Sequence, residues 1–161
     1  MTSKEYNISV EDYADGVYRF VLKNIKDEDK AKDIVQDTFE KLWVKAENVN
    51  YSKVKSYIFT SAYHTMIDYI RKDKKQSMMD ESAEIRHSHD RHYTGLSEVL
   101  QEAIDILPAI QKSVILLRDY EGYSYKEIAE TTNLNESQVK VYIFRARKFL
   151  KNYIGSIETV I

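Results

Sequence analysis

A basic segment near the C-terminus carries the side chains best suited to bind nucleic acid. Residues 137–157 contain five Lys or Arg residues and no acid. At 100° per residue, Val141 and Phe144 fall on the basic face of a helix, where apolar groups could contact thymine methyls while Arg and Lys bind guanine edges and phosphates. The alternative is a solvated basic helix with two stray hydrophobic residues. The face predicted to bind duplex DNA comprises Ser137, Lys140, Val141, Phe144, Arg145 and Lys148.

Two capping motifs predict how this helix is positioned. Ser124 and Glu127 form the S-x-x-E pattern that starts a helix, and Asn135 and Gln138 can start a second helix in the same manner. Asn133 lies between them and tolerates the left-handed backbone conformation of a tight turn. These features predict a helix-turn-helix whose second helix carries the basic face.

A second polar stripe follows a predicted helix over residues 52–74. Basic and aromatic side chains are interleaved along it, which suits a single-stranded target because bases stack on rings and phosphates need neutralising. The stripe comprises Lys53, Tyr57, Thr60, His64, Asp68, Arg71 and Lys75.

The preceding helix, predicted to start after Asp27, has an apolar stripe that includes Phe39, Leu42 and Trp43 and is expected to be buried. Its opposite face is polar and, from residue types alone, is the solvated side of an amphipathic helix. That polar face comprises Asp33, Gln36, Asp37 and Glu40.

Composition fits helices throughout. One Pro and four Gly supply few of the turns that sandwiches and Rossmann folds need. Helical spacing predicts a first helix over residues 9–23, a last pair of helices that ends before Gly155, and a polar, non-periodic stretch between residues 73 and 95. We therefore predict an all-α fold of two small helical domains, 1–72 and 96–161, joined by a flexible linker, 73–95, with the helix-turn-helix in the second.

Several function classes are excluded or disfavoured. The chain has no Cys, which removes disulfides, thiolate nucleophiles and Cys-ligated zinc. No apolar run approaches the length of a bilayer span, and the acidic N-terminus lacks a signal peptide's apolar core, so a cytoplasmic protein is expected. No motif of an enzyme is found, and no cofactor or metal is expected. His87, His89 and His92 form H-x-H-x-x-H in the polar stretch, without a fixed acid beside them, and are not assigned a metal.

Three blocks of the sequence resemble the extracytoplasmic-function (ECF) sigma factors of bacteria. Residues 107–151 resemble region 4, and "DIVQDTFEKLW" (33–43) with "SYIFTSAYHTMIDYIRK" (56–72) resembles region 2. The resemblance implies binding to core RNA polymerase and recognition of promoter DNA, with region 4 on the minus-thirty-five duplex and region 2 on the melting minus-ten element. It also implies an anti-sigma factor as partner, often a membrane-anchored one.

Site residues follow from the same resemblance. Lys140, Val141, Phe144 and Arg145 fall where the family reads bases, and Arg147 and Lys148 where it meets phosphates. Gln36 and Asp37 match the pair that meets the polymerase clamp, with Asp33 and Glu40 beside it. The polar stripe of residues 53–75 matches the minus-ten surface, although His64 stands where many members have Asn, which leaves its role open.

Two other classes remain possible from the residues themselves. One is a helix-turn-helix repressor or activator that binds DNA alone. The other is a helical protein-interaction module in which Val141 and Phe144 form the hot spot. The polar face of residues 33–40 discriminates, because a repressor needs no polymerase contact.

Overall fold

The computed structural model describes residues 1–79 and 95–158, and every regular element in these two ranges is helical. The elements are α1 (Ser3–Ile25), α2 (Glu28–Val44), two 3₁₀ turns (Ala46–Asn48 and Tyr51–Lys53), α3 (Val54–Met79), α4 (Leu96–Ile106), α5 (Ala109–Ile115), a π-helical turn (Leu116–Tyr120), α6 (Tyr125–Thr132) and α7 (Glu136–Glu158). The all-α prediction is confirmed.

The first three helices pack around one apolar core. Asp27 caps α2 as predicted, because its carboxylate accepts a hydrogen bond from the Lys30 amide at 3.1 Å. Helix α1 begins at Ser3 rather than near residue 9, since Thr2 and Glu5 form a capping box that the apolar spacing did not indicate. The buried side chains of this core include Val17, Phe20, Leu42, Ile58, Phe59 and Met66.

Helix α3 is longer than its periodicity predicted. It continues to Met79, so residues 73–79 of the predicted linker are helical. The remaining linker residues, 80–94, and with them His87, His89 and His92, lie outside the described residues. The division of the chain at 72 and 96 remains a prediction.

The second half of the chain contains the predicted helix-turn-helix. Pro108 is the N-cap of α5 rather than its first residue. The helix then widens into the π-helical turn, and Gly122 follows it with φ +72°, a conformation that suits glycine. Helix α7 passes through Gly155 to Glu158, so the prediction that the tail starts at Gly155 is wrong.

The two halves pack directly against each other. Phe59 of α3 meets Tyr123, which follows the π-helical turn, edge to face at 4.9 Å between ring centres. The Ser113 hydroxyl of α5 donates to the Asn24 side-chain oxygen of α1 at 3.1 Å. One continuous group of buried residues therefore runs through both halves. Among the described residues, no helix is long and apolar enough to span a membrane.

Candidate nucleic-acid interfaces and the surface of helix α2

The helix-turn-helix is fixed by two reciprocal caps. Ser124 Oγ accepts a hydrogen bond from the Glu127 amide, and the Glu127 carboxylate accepts one from the Ser124 amide, both at 3.1 Å. Asn135 and Gln138 make the same exchange at 2.8 and 3.0 Å. Asn133 has φ 59° between them, as its position in the turn predicted. These bonds set the angle at which α7 leaves α6.

Hydrogen bonding in the first cap also favours the charged form of the Glu127 carboxyl group. The bond from the Ser124 amide lowers the pKa of Glu127, with Lys55 as a smaller contribution. A depressed pKa in the folded state means that this cap stabilises the fold above the ordinary carboxyl pKa. Its contribution is lost as the pH falls through the lowered value.

The predicted reading face of α7 is exposed on the outer side of the helix. Val139, Ile143 and Ala146 are buried on the inner side of the helix. Val141 is 45% exposed and Phe144 67% exposed on the outer side. The basic and polar members of the face, Ser137, Lys140, Arg145 and Lys148, are exposed with them.

Arg147 differs from the rest of the basic residues on α7. Its guanidinium donates to both carboxylate oxygens of Asp119 in the π-helical turn, at 2.6 and 3.3 Å. This bond raises the pKa of Arg147 and ties α7 to the preceding element. The structure therefore shows Arg147 bound to protein, and its predicted phosphate contact remains a prediction.

A cavity of about 630 Å³ lies along the first part of the α3 stripe. Four of the predicted residues line it, namely Lys53, Tyr57, Thr60 and His64, together with Ser56 and Ser61. The seventh lining residue is Glu130, which comes from α6 in the other half of the chain. Sequence reasoning missed Glu130, because nothing in the sequence pairs α6 with α3.

The other three members of the stripe lie beyond this cavity. Asp68, Arg71 and Lys75 are exposed farther along α3. At 1.5 Å of rise per residue, Lys75 lies about 17 Å past His64. The structure thus divides the predicted stripe into a part that lines the cavity and a part that lies beyond it.

The outer face of α2 is polar as predicted and internally paired. Gln36 donates to Glu40 at 3.2 Å, and Asp37 forms an ion pair with Lys41 at 3.0 Å. Asp33 is exposed at the N-terminal end of the same face.

Trp43 is the residue of α2 whose burial was predicted wrongly. The apolar spacing predicted a buried side chain, but Trp43 is 55% exposed and the adjacent Val44 is 80% exposed. Leu42 and Phe39 fill the core, so Trp43 lies at the edge of the stripe, where the Tyr6 ring packs against it edge to face at 5.0 Å. An exposed indole next to the Gln36–Glu40 face is an unpartnered apolar surface.

No group of three or more potential metal ligands occurs within residues 1–79 and 95–158.

Comparison with known proteins gives matches to both halves. The family described as "Sigma-70 region 2" matches residues 9–76, and "Sigma-70, region 4" matches residues 97–150. The chain is 35% identical to RNA polymerase sigma factor SigV of Bacillus subtilis over 145 residues, which cover 88% of this chain and 86% of that one. It is 31% identical to ECF RNA polymerase sigma factor SigM of the same organism over 144 residues, 86% and 88% of the two chains.

A solved structure supports the fold. The sigma factor RpoE from Bartonella quintana, crystallised in complex with the anti-sigma factor NepR, superposes with a TM-score of 0.81. The match covers 94% of this chain and 98% of that one, at 24% identity.

Proposed function

This chain belongs to the ECF RNA polymerase sigma factors, and we propose that it binds core RNA polymerase through α2 and places two separate surfaces on promoter DNA. The observation that carries the proposal is the outer face of α7, where two large apolar side chains are exposed among four basic or polar ones. Such a face is unfavourable in water and complementary to a major groove.

The α7 face fits duplex DNA of the minus-thirty-five element. A helix enters the major groove, and the reciprocal cap of Asn135 and Gln138 leaves its first turn exposed toward the groove. Lys140 and Arg145 can bind base edges or phosphates, while Val141 and Phe144 can contact thymine methyls. Arg147, held by Asp119, positions this helix.

The α3 stripe fits single-stranded DNA of the minus-ten element. The ring of Tyr57 and the imidazole of His64 offer stacking surfaces, and Lys53 supplies a cation at one end of the cavity. Asp68, Arg71 and Lys75 continue the path along the exposed end of the helix.

The outer face of α2 fits the polymerase. Asp33, Gln36, Asp37 and Glu40 give it hydrogen-bonding groups and negative charge. Trp43 and Val44 extend it with apolar area, and aromatic residues surrounded by polar ones are typical of interface hot spots.

The wider role follows from the same proposal. We propose that the protein is regulatory rather than catalytic, acts in the cytoplasm, and is itself controlled by an anti-sigma factor, as the Bartonella relative's complex with NepR suggests by analogy. No cofactor and no small-molecule substrate are needed.

Arg145→Ala and Lys148→Ala are expected to differ in kind. Loss of a bidentate base contact at Arg145 costs about 1–3 kcal/mol at one promoter position and relaxes the preference there. Loss of a phosphate contact at Lys148 weakens binding to all duplexes alike and lowers the salt slope by about one unit. Binding of the holoenzyme to a set of single-base promoter variants at several salt concentrations measures both. Equal losses on every sequence for both variants would contradict base reading by Arg145.

Transcription with purified components tests the proposal as a whole. The protein is added to core RNA polymerase with a library of fragments from the host genome, and the 5′ ends of the transcripts are mapped. We expect start sites that share upstream sequence at two spaced positions and that disappear without the protein. Binding to duplex DNA in the absence of polymerase, with no new start sites, would instead support the stand-alone repressor or activator.

A further inference from the structure

We propose that Asp119, in the π-helical turn, is a specificity-determining residue for duplex DNA, because it holds Arg147 against the protein, fixes the rotation of α7 and keeps this cation off DNA phosphates. The inference rests on the proposed function and deepens it, since it concerns the α7 face assigned there to the minus-thirty-five element. It makes Arg147 a positioning residue, whereas the sequence predicted a phosphate contact.

The Asp119 carboxylate occupies two donors of the Arg147 guanidinium. Nη2 donates to Oδ1 at 2.6 Å, and Nε donates to Oδ2 at 3.3 Å. Bidentate pairs of this kind are directional as well as strong, because both groups are planar. The two side chains are 49% and 40% exposed, so a DNA phosphate could compete for the same donors. A guanidinium that is already paired attracts a phosphate only weakly, since the neighbouring carboxylate repels it.

The π-helical turn accounts for an acid of the preceding element reaching α7. In an uninterrupted α-helix, Asp119 would follow the buried Ile115 by four residues and share its face. The turn instead closes a ring from the Glu121 amide to the Leu116 carbonyl at 3.1 Å, five residues apart, and so contains one extra residue. The Asp119 side chain is therefore turned away from the core and meets α7. Turns of this kind are frequent at functional sites.

Arg147 lies on the same side of α7 as a residue of the reading face. Seven positions separate it from Lys140, which is about 700° at 100° per residue, or about 20° short of two full turns. Arg147 therefore projects close to the direction of Lys140, about 10 Å farther along the helix axis. Released from Asp119, it would extend the basic face by one cation. The pairing with Asp119 thus decides how many groups α7 presents to the DNA backbone.

A second contact holds the same side of α7 two turns earlier. The Lys140 ammonium lies 5.4 Å from the centre of the Tyr125 ring, at the start of α6. The guanidinium carbon of Arg118, in the π-helical turn, lies 4.4 Å from the same ring centre. Arg118 also donates to the Tyr123 carbonyl at 2.8 Å, which holds the turn to the segment before α6. Two attachments about 10 Å apart along one side of a helix oppose its rotation about its own axis.

Rotation of α7 matters because base reading depends on angle. A rotation of about 20° moves the surface of a helix that is 10–12 Å wide by about 2 Å, which is enough to break a hydrogen bond between Arg145 and a base edge. Phosphate contacts carry no sequence information and are made equally well on any duplex. Loss of Asp119 should therefore weaken base discrimination and, by freeing Arg147, strengthen binding to every sequence.

Asp119→Asn tests the proposal, because it keeps the size of the side chain and removes its charge. Binding of the full-length protein to a fluorescein-labelled duplex of random sequence, about 20 base pairs long, is followed by anisotropy between roughly 50 and 200 mM salt. One additional phosphate contact steepens the slope of log K against log salt by about 0.9. We expect the variant to bind more tightly than the parent at the lowest salt, and this advantage to shrink about 3.5-fold over the fourfold rise in salt.

Glu136→Gln is the matched control, because it removes the same charge from an exposed acid at the first residue of α7 and leaves the Arg147 pair in place. Arg147→Gln should leave the salt slope of the parent unchanged, but should lower the slope of the Asp119→Asn variant by about 0.9, back to the parental value. Asp119→Asn binding no more steeply than Glu136→Gln would overturn the proposal. A slope that Arg147→Gln already lowers by this amount in the parent would do the same, because Arg147 would then contact a phosphate in spite of Asp119.

Base discrimination is measured on the holoenzyme. With core RNA polymerase, the Kd ratio between a promoter and its single-base variants in the minus-thirty-five element should fall about fivefold in Asp119→Asn. Asp119→Glu keeps a carboxylate for Arg147 and should retain most of the ratio. Weaker binding of Asp119→Asn to random duplex and promoter alike would indicate a destabilised domain and contradict the proposal. If the parental holoenzyme has no promoter preference, the proposed function fails, and the random-duplex comparison still decides whether Asp119 keeps Arg147 off DNA.

Discussion

Trp43→Ala is expected to weaken binding of this sigma factor to core RNA polymerase by about 2–4 kcal/mol, roughly 30- to 700-fold in Kd. The indole is 55% exposed, held on one side by the Tyr6 ring and continuous with the polar face of Gln36 and Glu40. A large ring that is already oriented loses little conformational entropy on binding and excludes water over a wide area. Fluorescence titration of labelled core polymerase measures the loss.

Two controls separate binding from folding. Trp43→Phe keeps an aromatic ring against Tyr6 and should retain most of the affinity. The paired substitution Gln36→Ala with Asp37→Ala, on the polar face of α2, should weaken polymerase binding while changing the free energy of unfolding by less than about 0.5 kcal/mol. A Trp43→Ala protein that folds normally and binds polymerase like the parent would remove Trp43 from the interface.

Local signals in the sequence were sufficient for the helix-turn-helix. The two caps, Ser124 with Glu127 and Asn135 with Gln138, and the left-handed Asn133 depend on neighbours within three residues. Backbone requirements of this kind are met by residue type alone. The same reasoning could have found the start of α1, since Thr2 and Glu5 show the same pattern, but apolar spacing begins later and set the prediction.

Burial at the edge of an apolar stripe was not predictable in the same way. Trp43 has helical spacing with Phe39 and Leu42, yet whether such a residue is covered depends on which element packs beside it. Here the neighbouring ring is that of Tyr6, from 37 positions earlier in the sequence, and Trp43 stays 55% exposed. The exposure of Trp43 is informative because this side chain lies on the surface proposed to bind the polymerase.

The contact between the domains could not be predicted from the sequence, for a related reason. The Arg19 guanidinium donates to the Glu121 carboxylate across this contact, but the two residues are 102 positions apart, and each also reads as an ordinary exposed charge on an amphipathic surface. Glu130 enters the α3 cavity only because the whole of α6 docks there. Sequence pattern predicts the faces of single helices, whereas the choice of partner depends on shape and charge across the assembled fold.

Phe59→Ala is expected to lower the free energy of unfolding by about 3–5 kcal/mol. Phe59 is 2% exposed and lies between Phe20, at 6.2 Å, and Tyr123, at 4.9 Å between ring centres. Its removal leaves a cavity in the core of the first domain and in the contact with the second domain. The residues on either side of this cavity can fill it only if a helix moves. A loss of this size is a large part of the 5–15 kcal/mol that stabilises a typical domain.

Phe144→Ala provides the matched comparison, because it makes the same chemical change at a site that is 67% exposed. Phe144→Ala should lower the free energy of unfolding by about 0.5 kcal/mol or less while weakening promoter binding. Urea unfolding followed by circular dichroism gives the free energies of unfolding of both variants, and the fluorescence of Trp43, the only Trp in the sequence, reports separately on the first domain. If the domains pack as described, the parent unfolds with coincident transitions by both probes, and Phe59→Ala shifts the transition far more than Phe144→Ala. A Phe59→Ala transition as little shifted as that of Phe144→Ala would mean that the aromatic contact between the domains contributes nothing to the stability of the folded chain.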